Sequence, residues 1–200
     1  MPQIDYYFAT ISPYTYLAGT RFEAVAKKHG ASVTYKPLDL PTLFSRTGGV
    51  LPKDRPKGRQ EHRTQEMIRA AKKAGLAFNA APAFFPTNMA PSSYAIIAAQ
   101  SEGGGDLGAL VHAMLRAVWA EEKNVAEDDV IRAALVEAGF DPDLADKGML
   151  QSADTYAANL EEAVESGVFG APFYIVRETD ARFWGQDRID DLDAHLSGDL

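Results

Sequence analysis

The order of strand and helix patterns along the chain constrains its fold more than any other feature. Patterns typical of β-strands occur only near the two ends, whereas residues 59–167 show helical patterns alone. The first two strands flank a helix, and the last two form a hairpin followed by a closing helix. The crossover of the first unit should be right-handed. The predicted strands are residues 4–9, 32–36, 173–176 and 182–184.

The helical middle of the chain separates two parts of one sheet domain. Glycine and proline residues divide this middle into segments, and no repeat of fixed length is present. We therefore predict an α/β fold, a thioredoxin-like βαβ…ββα sheet domain (residues 1–57 and 167–200) interrupted by a large all-helical insertion (residues 58–166). The predicted helices of the insertion are residues 60–74, 92–101, 106–122, 126–138 and 142–166.

The first predicted helix has clear signals at both ends. The Ser12 side chain can accept a hydrogen bond from an N–H of the first turn, and Pro13 suits the first helical position. Lys27 and Lys28 suit the negative end of the helix dipole, and Gly30 suits a left-handed stop. The sequence predicts one helix between Ser12 and Gly30.

The absence of cysteine excludes several kinds of chemistry. The chain cannot form a disulfide, a thiolate zinc site, an iron–sulfur cluster or a protein thiol nucleophile. A net charge of −8 disfavours nucleic acid and anionic membranes as partners. Residues 1–20 lack Lys and Arg, and no apolar stretch suits a membrane span, so we expect a cytoplasmic protein. The histidines lack metal-ligand spacing, so no metal site is expected; they are His29, His62, His112 and His195.

Three segments that carry polar or special backbone groups should meet at one edge of the predicted sheet. The first is Ser12, whose hydroxyl and following N–H groups suit an anion such as a thiolate. The second is the Ala171-Pro172 pair, where a cis bond before an edge strand would expose the Ala171 backbone to an extended peptide. The third contains Asp187 and Arg188, which could hold an amino group or a carboxylate.

Each of these segments also has a purely structural interpretation. Ser12 could simply cap a helix, and Pro172 could be an ordinary proline before a strand. Asp187 could be the N-cap of the closing helix, with Arg188 on the surface. The coincidence of all three at one sheet edge favours a ligand site.

Motifs along the whole chain resemble those of one known family. They are DYYFATISPYTYLA, PLDLPTLFSRTGG, FFPTN, AVWAEEKNVAEDDVIRAALVEAGFDP, VFGAPFYIV and FWGQDRIDDL. As a set they resemble the 2-hydroxychromene-2-carboxylate isomerases, which belong with the kappa-class glutathione transferases in the DsbA-like thioredoxin superfamily. The resemblance implies a DsbA-like or kappa-type arrangement of the predicted fold.

The resemblance also implies glutathione as the cofactor. Ser12 stands where redox relatives have the first cysteine of a C-x-x-C motif, with Thr15 in place of the second. By this likeness Ser12 is the catalytic residue and hydrogen-bonds the sulfur, Ala171 pairs with the cysteinyl part, and Gln186 with Asp187 takes the γ-glutamyl end. Relatives often have Asn where this chain has Gly49, so contact there would be through the backbone. The implied glutathione contacts are Ser12, Pro13, Tyr14, Gly49, Ala171, Pro172, Gln186 and Asp187.

The implied reaction is cis–trans isomerisation of an aromatic catabolic intermediate by reversible thiolate addition. Phe84 and Phe85 are candidates to wall the aromatic substrate, with core packing as the alternative. A homodimer is expected from the likeness. A kappa-like glutathione transferase or peroxidase, and a non-enzymatic thioredoxin-fold binding protein, remain alternatives. The basic residues that could meet a substrate carboxylate are Arg46, Lys53, Arg55 and Lys57.

Overall fold

Four strands form one mixed sheet in the order β2-β1-β3-β4 in the computed structural model, which describes residues 1–147 and 149–200. Strand β1 pairs in parallel with β2 and antiparallel with β3, which pairs antiparallel with β4. The predicted βαβ…ββα order is therefore confirmed. The strands are β1 (Gln3–Phe8), β2 (Ser32–Pro37), β3 (Phe173–Val176) and β4 (Ala181–Trp184).

Helices cover both faces of the sheet and fill the middle of the chain. The predicted α/β class and the helical content of the middle are confirmed. None of the helices in the described part of the chain is long and apolar enough to cross a membrane. The helices are α1 (Pro13–Leu17), α2 (Arg21–Lys28), α3 (Leu40–Thr47), α4 (Lys57–Ala74), α5 (Ala90–Glu102), α6 (Leu107–Trp119), α7 (Asp128–Glu137), α8 (Met149–Glu165) and α9 (Ile189–Ser197).

Two features of the sheet domain differ from the prediction. The single helix predicted between Ser12 and Gly30 is two helices, because Gly19 adopts a left-handed conformation (φ +60°) between α1 and α2. The strand after Pro172 is not an edge strand, since β3 lies between β1 and β4. Strand pairing of this kind depends on contacts between distant segments, which local patterns do not report.

One hydrophobic core joins the sheet to the helical middle. Tyr6 and Phe8 of β1 point to one face and pack in the same buried cluster as Ile96 of α5 and Met114 of α6. Tyr7 points to the other face, where a smaller cluster includes buried residues of α3 and α8. The division into residues 1–57 with 167–200 and residues 58–166 stays a prediction, and the larger cluster is continuous across it.

A carboxyl group is enclosed between α2 and α6. Oε2 of Glu23 is buried without a hydrogen-bond partner among the described residues. A Cβ placed on Gly108 would lie 2.5 Å from Cγ of Glu23, so the two helices approach closely here. Burial raises the pKa of the Glu23 carboxyl to about 7, and the nearby Asp106 carboxylate acts in the same direction.

The Glu23→Gln variant is expected to be more stable than the wild type at pH 8, by about 1–3 kcal/mol. Because the pKa is higher in the folded state than in the unfolded chain, the wild type loses stability as the pH rises from about 4.5 to about 7. Glutamine has no proton to lose, so the difference should vanish at low pH. Urea unfolding at both pH values measures this, with Glu102→Gln on the exposed surface of α5 as the control. The prediction would be contradicted if both variants changed the free energy of unfolding by the same amount at both pH values.

Candidate active site

Ser12 joins the first two predicted site segments directly. Its Oγ accepts a hydrogen bond from the Thr15 N–H and donates one to the Ala171 carbonyl oxygen, both at 3.3 Å. The Ser12 side chain is therefore the N-cap of α1 and also a bridge to the segment before β3. Because α1 has only five residues, Ser12 can act on a ligand through its hydroxyl more than through a helix dipole.

Two polar groups beside Ser12 have unused hydrogen-bonding capacity within the described residues. Thr15 is 1% exposed, and its Oγ1 has no hydrogen-bond partner among the described residues. The Ala171 N–H likewise has no hydrogen bond to the described residues, and its peptide bond to Pro172 is cis. A backbone N–H that lacks a partner can be satisfied by a bound polar ligand, whereas the Thr15 hydroxyl is enclosed by protein.

The third predicted segment lies next to the second. The Gly185 N–H donates to the Pro172 carbonyl oxygen at 2.9 Å, and Gln186 and Asp187 follow in a short 3₁₀ turn. Asp187 is exposed and does not cap α9, so the alternative interpretation of Asp187 as the N-cap of the closing helix is wrong. A Cβ on residue 185 would lie 2.5 Å from Oδ1 of Asp187, and Gly185 has a positive φ of 108°. Both observations favour glycine at position 185.

Arg21 orients the Gln186 side chain. Nη2 of Arg21 donates to the backbone oxygen of Gln186 at 2.7 Å and to its Oε1 at 2.6 Å. The side-chain NH₂ group of Gln186 therefore points away from the guanidinium and can donate to a ligand. Sequence reasoning missed Arg21, because nothing in its local sequence shows that α2 packs beside the turn after β4.

Tyr14 of α1 lies beneath an arginine of α4. Cζ of Arg63 is 5.6 Å from the centre of the half-buried Tyr14 ring. Burial raises the pKa of the Tyr14 phenol, and the Arg63 guanidinium opposes that shift. Arg63 was also missed by sequence reasoning, since it lies within a helix and belongs to no motif. Pro13 is buried at the first position of α1.

Gly49 follows α3 in an exposed turn and lies against the Phe44 side chain. A Cβ at this position would come within 2.6 Å of the Phe44 ring. An asparagine here would therefore require the Phe44 side chain to move. The structure thus gives a packing reason for glycine at this position, and contact with a ligand could occur through its backbone.

The residues predicted to face the substrate differ in their partners and exposure. Arg46 forms an ion pair with Glu161 of α8. Phe84 is 47% exposed, whereas Phe85 packs against Trp119 with 4.8 Å between ring centres. The other three basic candidates follow α3 in the sequence. Nε of Arg55 donates to the Val50 carbonyl oxygen at 2.9 Å. Lys53 is exposed, and Nζ of Lys57 lies 3.7 Å from the Glu61 carboxylate.

Clusters typical of a metal centre are not found in the described part of the chain. His, Asp and Glu side chains in residues 1–147 and 149–200 form no group of three that could hold a metal ion. A cleft of about 370 Å³ lies between α5 and α8, and its lining does not include Ser12. The polar groups around Ser12, Ala171 and Gln186 are therefore the basis of the candidate site.

Comparisons with known proteins agree with the fold and with the sequence motifs. The chain is 29% identical over 198 residues to a 2-hydroxychromene-2-carboxylate isomerase of Sphingobium xenophagum, covering 96% of this chain and 97% of that protein. An isomerase of the same name from Pseudomonas putida is 29% identical over 191 residues, covering 93% and 90%. The family resemblance inferred from the motifs is confirmed.

Solved structures show the same architecture. A 2-hydroxychromene-2-carboxylate isomerase superposes with a TM-score of 0.78 at 23% identity, covering 98% of this chain and 95% of that chain. The cytosolic disulfide reductase DsbM from Pseudomonas aeruginosa, solved with GSH, superposes with a TM-score of 0.70 at 19% identity, covering 98% of both chains. The model of the DSBA-like thioredoxin domain matches residues 3–197. The chain therefore belongs to the DSBA-like thioredoxin domain family.

Proposed function

We propose that this protein is an isomerase of 2-hydroxychromene-2-carboxylate or a related aromatic catabolic intermediate, with glutathione as its cofactor. Relatives with that isomerase name match nearly the whole chain. The structural observation that carries the proposal is the bridge from the Ser12 hydroxyl to the Ala171 carbonyl oxygen. In a chain without cysteine, this hydroxyl stands where a thiol from outside the protein would be held.

The groups around Ser12 fit a cysteinyl thiol and its backbone. The unpartnered Ala171 N–H would donate to a carbonyl oxygen of the cofactor, and the buried Thr15 hydroxyl would lie near its sulfur. For Ser12 to donate to the sulfur, its O–H must rotate away from the Ala171 oxygen, while the Thr15 N–H continues to hold Oγ. The freed Ala171 oxygen could then accept from the cofactor's N–H.

The γ-glutamyl end of glutathione fits the turn after β4. Asp187 would bind the α-amino group through its exposed carboxylate. The Gln186 NH₂ group, oriented by Arg21, would donate to the α-carboxylate. These two contacts would fix the cofactor at one end and leave its sulfur at Ser12.

When bound, glutathione supplies a thiolate that adds reversibly to the conjugated system of the substrate, which allows the former double bond to rotate. The protein's part is to favour the thiolate over the thiol. A hydroxyl donor to sulfur stabilises the negative charge and lowers the thiol pKa. Ser12 would supply that donor.

Isomerisation is expected to require glutathione without consuming it. Substrate and product are followed by absorbance, and total thiol is titrated before and after complete conversion. The expected result is full conversion with constant total thiol and no turnover when glutathione is omitted. If total thiol decreased in proportion to substrate, the protein would instead be a transferase or peroxidase. If calorimetry detected no saturable binding of glutathione, a non-enzymatic binding protein would be favoured.

A further inference from the structure

Both ends of the loop between α4 and α5 (residues 75–89, the α4–α5 loop) are held by the chain segment that carries Ser12. Near the start of the loop, the Tyr16 hydroxyl donates to a backbone carbonyl oxygen at 2.6 Å. At its end, Oγ1 of Thr10 lies 2.8 Å from Oγ of Ser92, in the first turn of α5. The loop therefore begins and ends beside the candidate active site.

The middle of the α4–α5 loop is held by the connection between α6 and α7. One carboxylate oxygen of Glu122 accepts a hydrogen bond from the side-chain NH₂ group of Asn79, and the other accepts one from the Ala83 N–H at 3.2 Å. The Thr87 hydroxyl donates to Oδ1 of Asn124 in the same connection. Two side chains thus fix the loop between its anchored ends.

Glu122 keeps an unfavourable backbone conformation while it makes these contacts. Its φ is +56°, in the left-handed region that residues with a Cβ rarely adopt. Within residues 1–147 and 149–200, Asp180 is the one other residue besides glycine with a positive φ. Glycine would adopt this conformation without cost, but it could not hold the loop. Backbone strain that is kept together with such contacts points to a task for the side chain.

We propose that Glu122 is a positioning residue of the candidate active site, which holds the α4–α5 loop in place and thereby sets the affinity for the substrate that reacts at Ser12. This rests on the proposed function for the identity of the substrate. Because both ends of the loop are fixed beside Ser12, the position of its middle determines how much room a substrate has there. The proposed glutathione contacts at Ala171 and Gln186 lie on other elements, so Glu122 should affect the substrate and not the cofactor.

The test compares Glu122→Gly with Asp180→Gly. Each variant replaces an exposed carboxylate residue of positive φ by glycine, so the two are matched in charge and in backbone effect. Asp180 lies in the turn between β3 and β4, at the opposite end of these strands from Pro172 and Gly185. The measured quantities are kcat, KM for 2-hydroxychromene-2-carboxylate, and the Kd of glutathione by calorimetry.

Glu122→Gly is expected to raise KM for 2-hydroxychromene-2-carboxylate by roughly 5- to 50-fold, as for loss of two hydrogen bonds, with the wild-type Kd for glutathione. Glu122→Gln keeps one amide oxygen that can accept from the Ala83 N–H, so its KM should lie between those of the wild type and Glu122→Gly. Asp180→Gly should change none of these quantities. The proposal is overturned if Glu122→Gly has the wild-type KM, or if Asp180→Gly raises KM equally.

Asn79→Ala tests whether Glu122 acts through its contact with the loop. This variant removes the side chain that donates to Glu122 from the loop. If the two residues act through one contact, the double variant with Glu122→Gly should raise KM by less than the product of the two single effects. Single effects that simply multiply would mean that Glu122 does not act through Asn79, and would contradict the proposal.

Amide hydrogen exchange separates this role from folding and from the proposed function. Exchange within residues 75–89, and at Ala83 above all, should be faster in Glu122→Gly, with an unfolding midpoint close to that of the wild type because glycine relieves the positive φ. Wild-type exchange in the loop, or a large loss of stability, would contradict the proposal. If the wild type neither isomerises nor binds glutathione, the proposed function fails, whereas faster exchange confined to the loop would still support the role of Glu122.

Discussion

Replacement of Ser12 with alanine is expected to lower kcat for glutathione-dependent isomerisation by about 100- to 1,000-fold, the usual effect of removing a hydrogen bond to a developing negative charge. The variant would lose the Oγ donor, and the pKa of the bound thiol would rise. The activity profile should therefore shift to higher pH, with the greatest loss at low pH. Steady-state rates at saturating glutathione across pH measure both effects.

A control must account for the second role of Ser12 as the N-cap of α1. Asp106 caps α6 in the same way, since its Oδ1 accepts from the Ala109 N–H at 2.9 Å. Loss of either cap should cost about 1 kcal/mol of stability, and Asp106→Ala should not change kcat or its pH profile. Removal of the Asp106 charge near Glu23 should offset part of the cost in that variant. If Ser12→Ala keeps the wild-type kcat and pH profile, the serine is only a helix cap.

The general fold could be predicted because its signals are local. Alternation, prolines and glycines predicted β3 with its observed bounds, and β1, β2 and β4 to within one residue at each end. The break at Gly19 could not be predicted in this way, because the apolar stripe continues through it from Leu17 to Phe22. The internal position of β3 depends on its pairing with β1, which is more than 150 residues away in sequence.

The candidate site could be predicted only where a backbone signal marks it. Ser12 and Ala171 precede prolines and flank strands, and the structure joins them by a hydrogen bond. Arg21 and Arg63 lie on helices whose sequences carry no such signal, and their positions follow from packing between helices. Arg46 shows the opposite case, since its sequence position suggested a ligand contact and the fold pairs it with Glu161.

A buried charge network at the centre of the sheet gives the largest expected effect on stability. Asp5 on β1 is 6% exposed, and its carboxylate lies 3.2 Å from Nζ of Lys36 on β2. It also accepts a hydrogen bond from Nε of Arg177 at 2.8 Å. Lys36 has a second partner, Glu162 of α8. Asp5 therefore contacts both Lys36 and Arg177, and the buried Lys36 contacts both Asp5 and Glu162.

Asp5→Ala is expected to reduce the free energy of unfolding by about 3–5 kcal/mol, because it removes the buried one of the two counter-charges of Lys36 and leaves that lysine with only the half-exposed Glu162. Lys36→Met should cost less, since Asp5 keeps its hydrogen bonds from Arg177 and methionine fills much of the lysine's space. Urea unfolding of the two variants at pH 7 measures this order. The exposed Arg182–Asp180 pair supplies the control, because Arg182→Ala should cost less than about 1 kcal/mol.

The double variant Asp5→Leu with Lys36→Met separates charge from packing. If the cost of Asp5→Ala comes from leaving Lys36 without its buried partner, removal of both charges should recover most of the lost stability. Glu162 is 46% exposed at its side chain and can return to solvent when Lys36 is absent. A double variant no more stable than Asp5→Ala alone would mean that the site requires polar groups at the centre of the sheet, and the electrostatic explanation would be wrong.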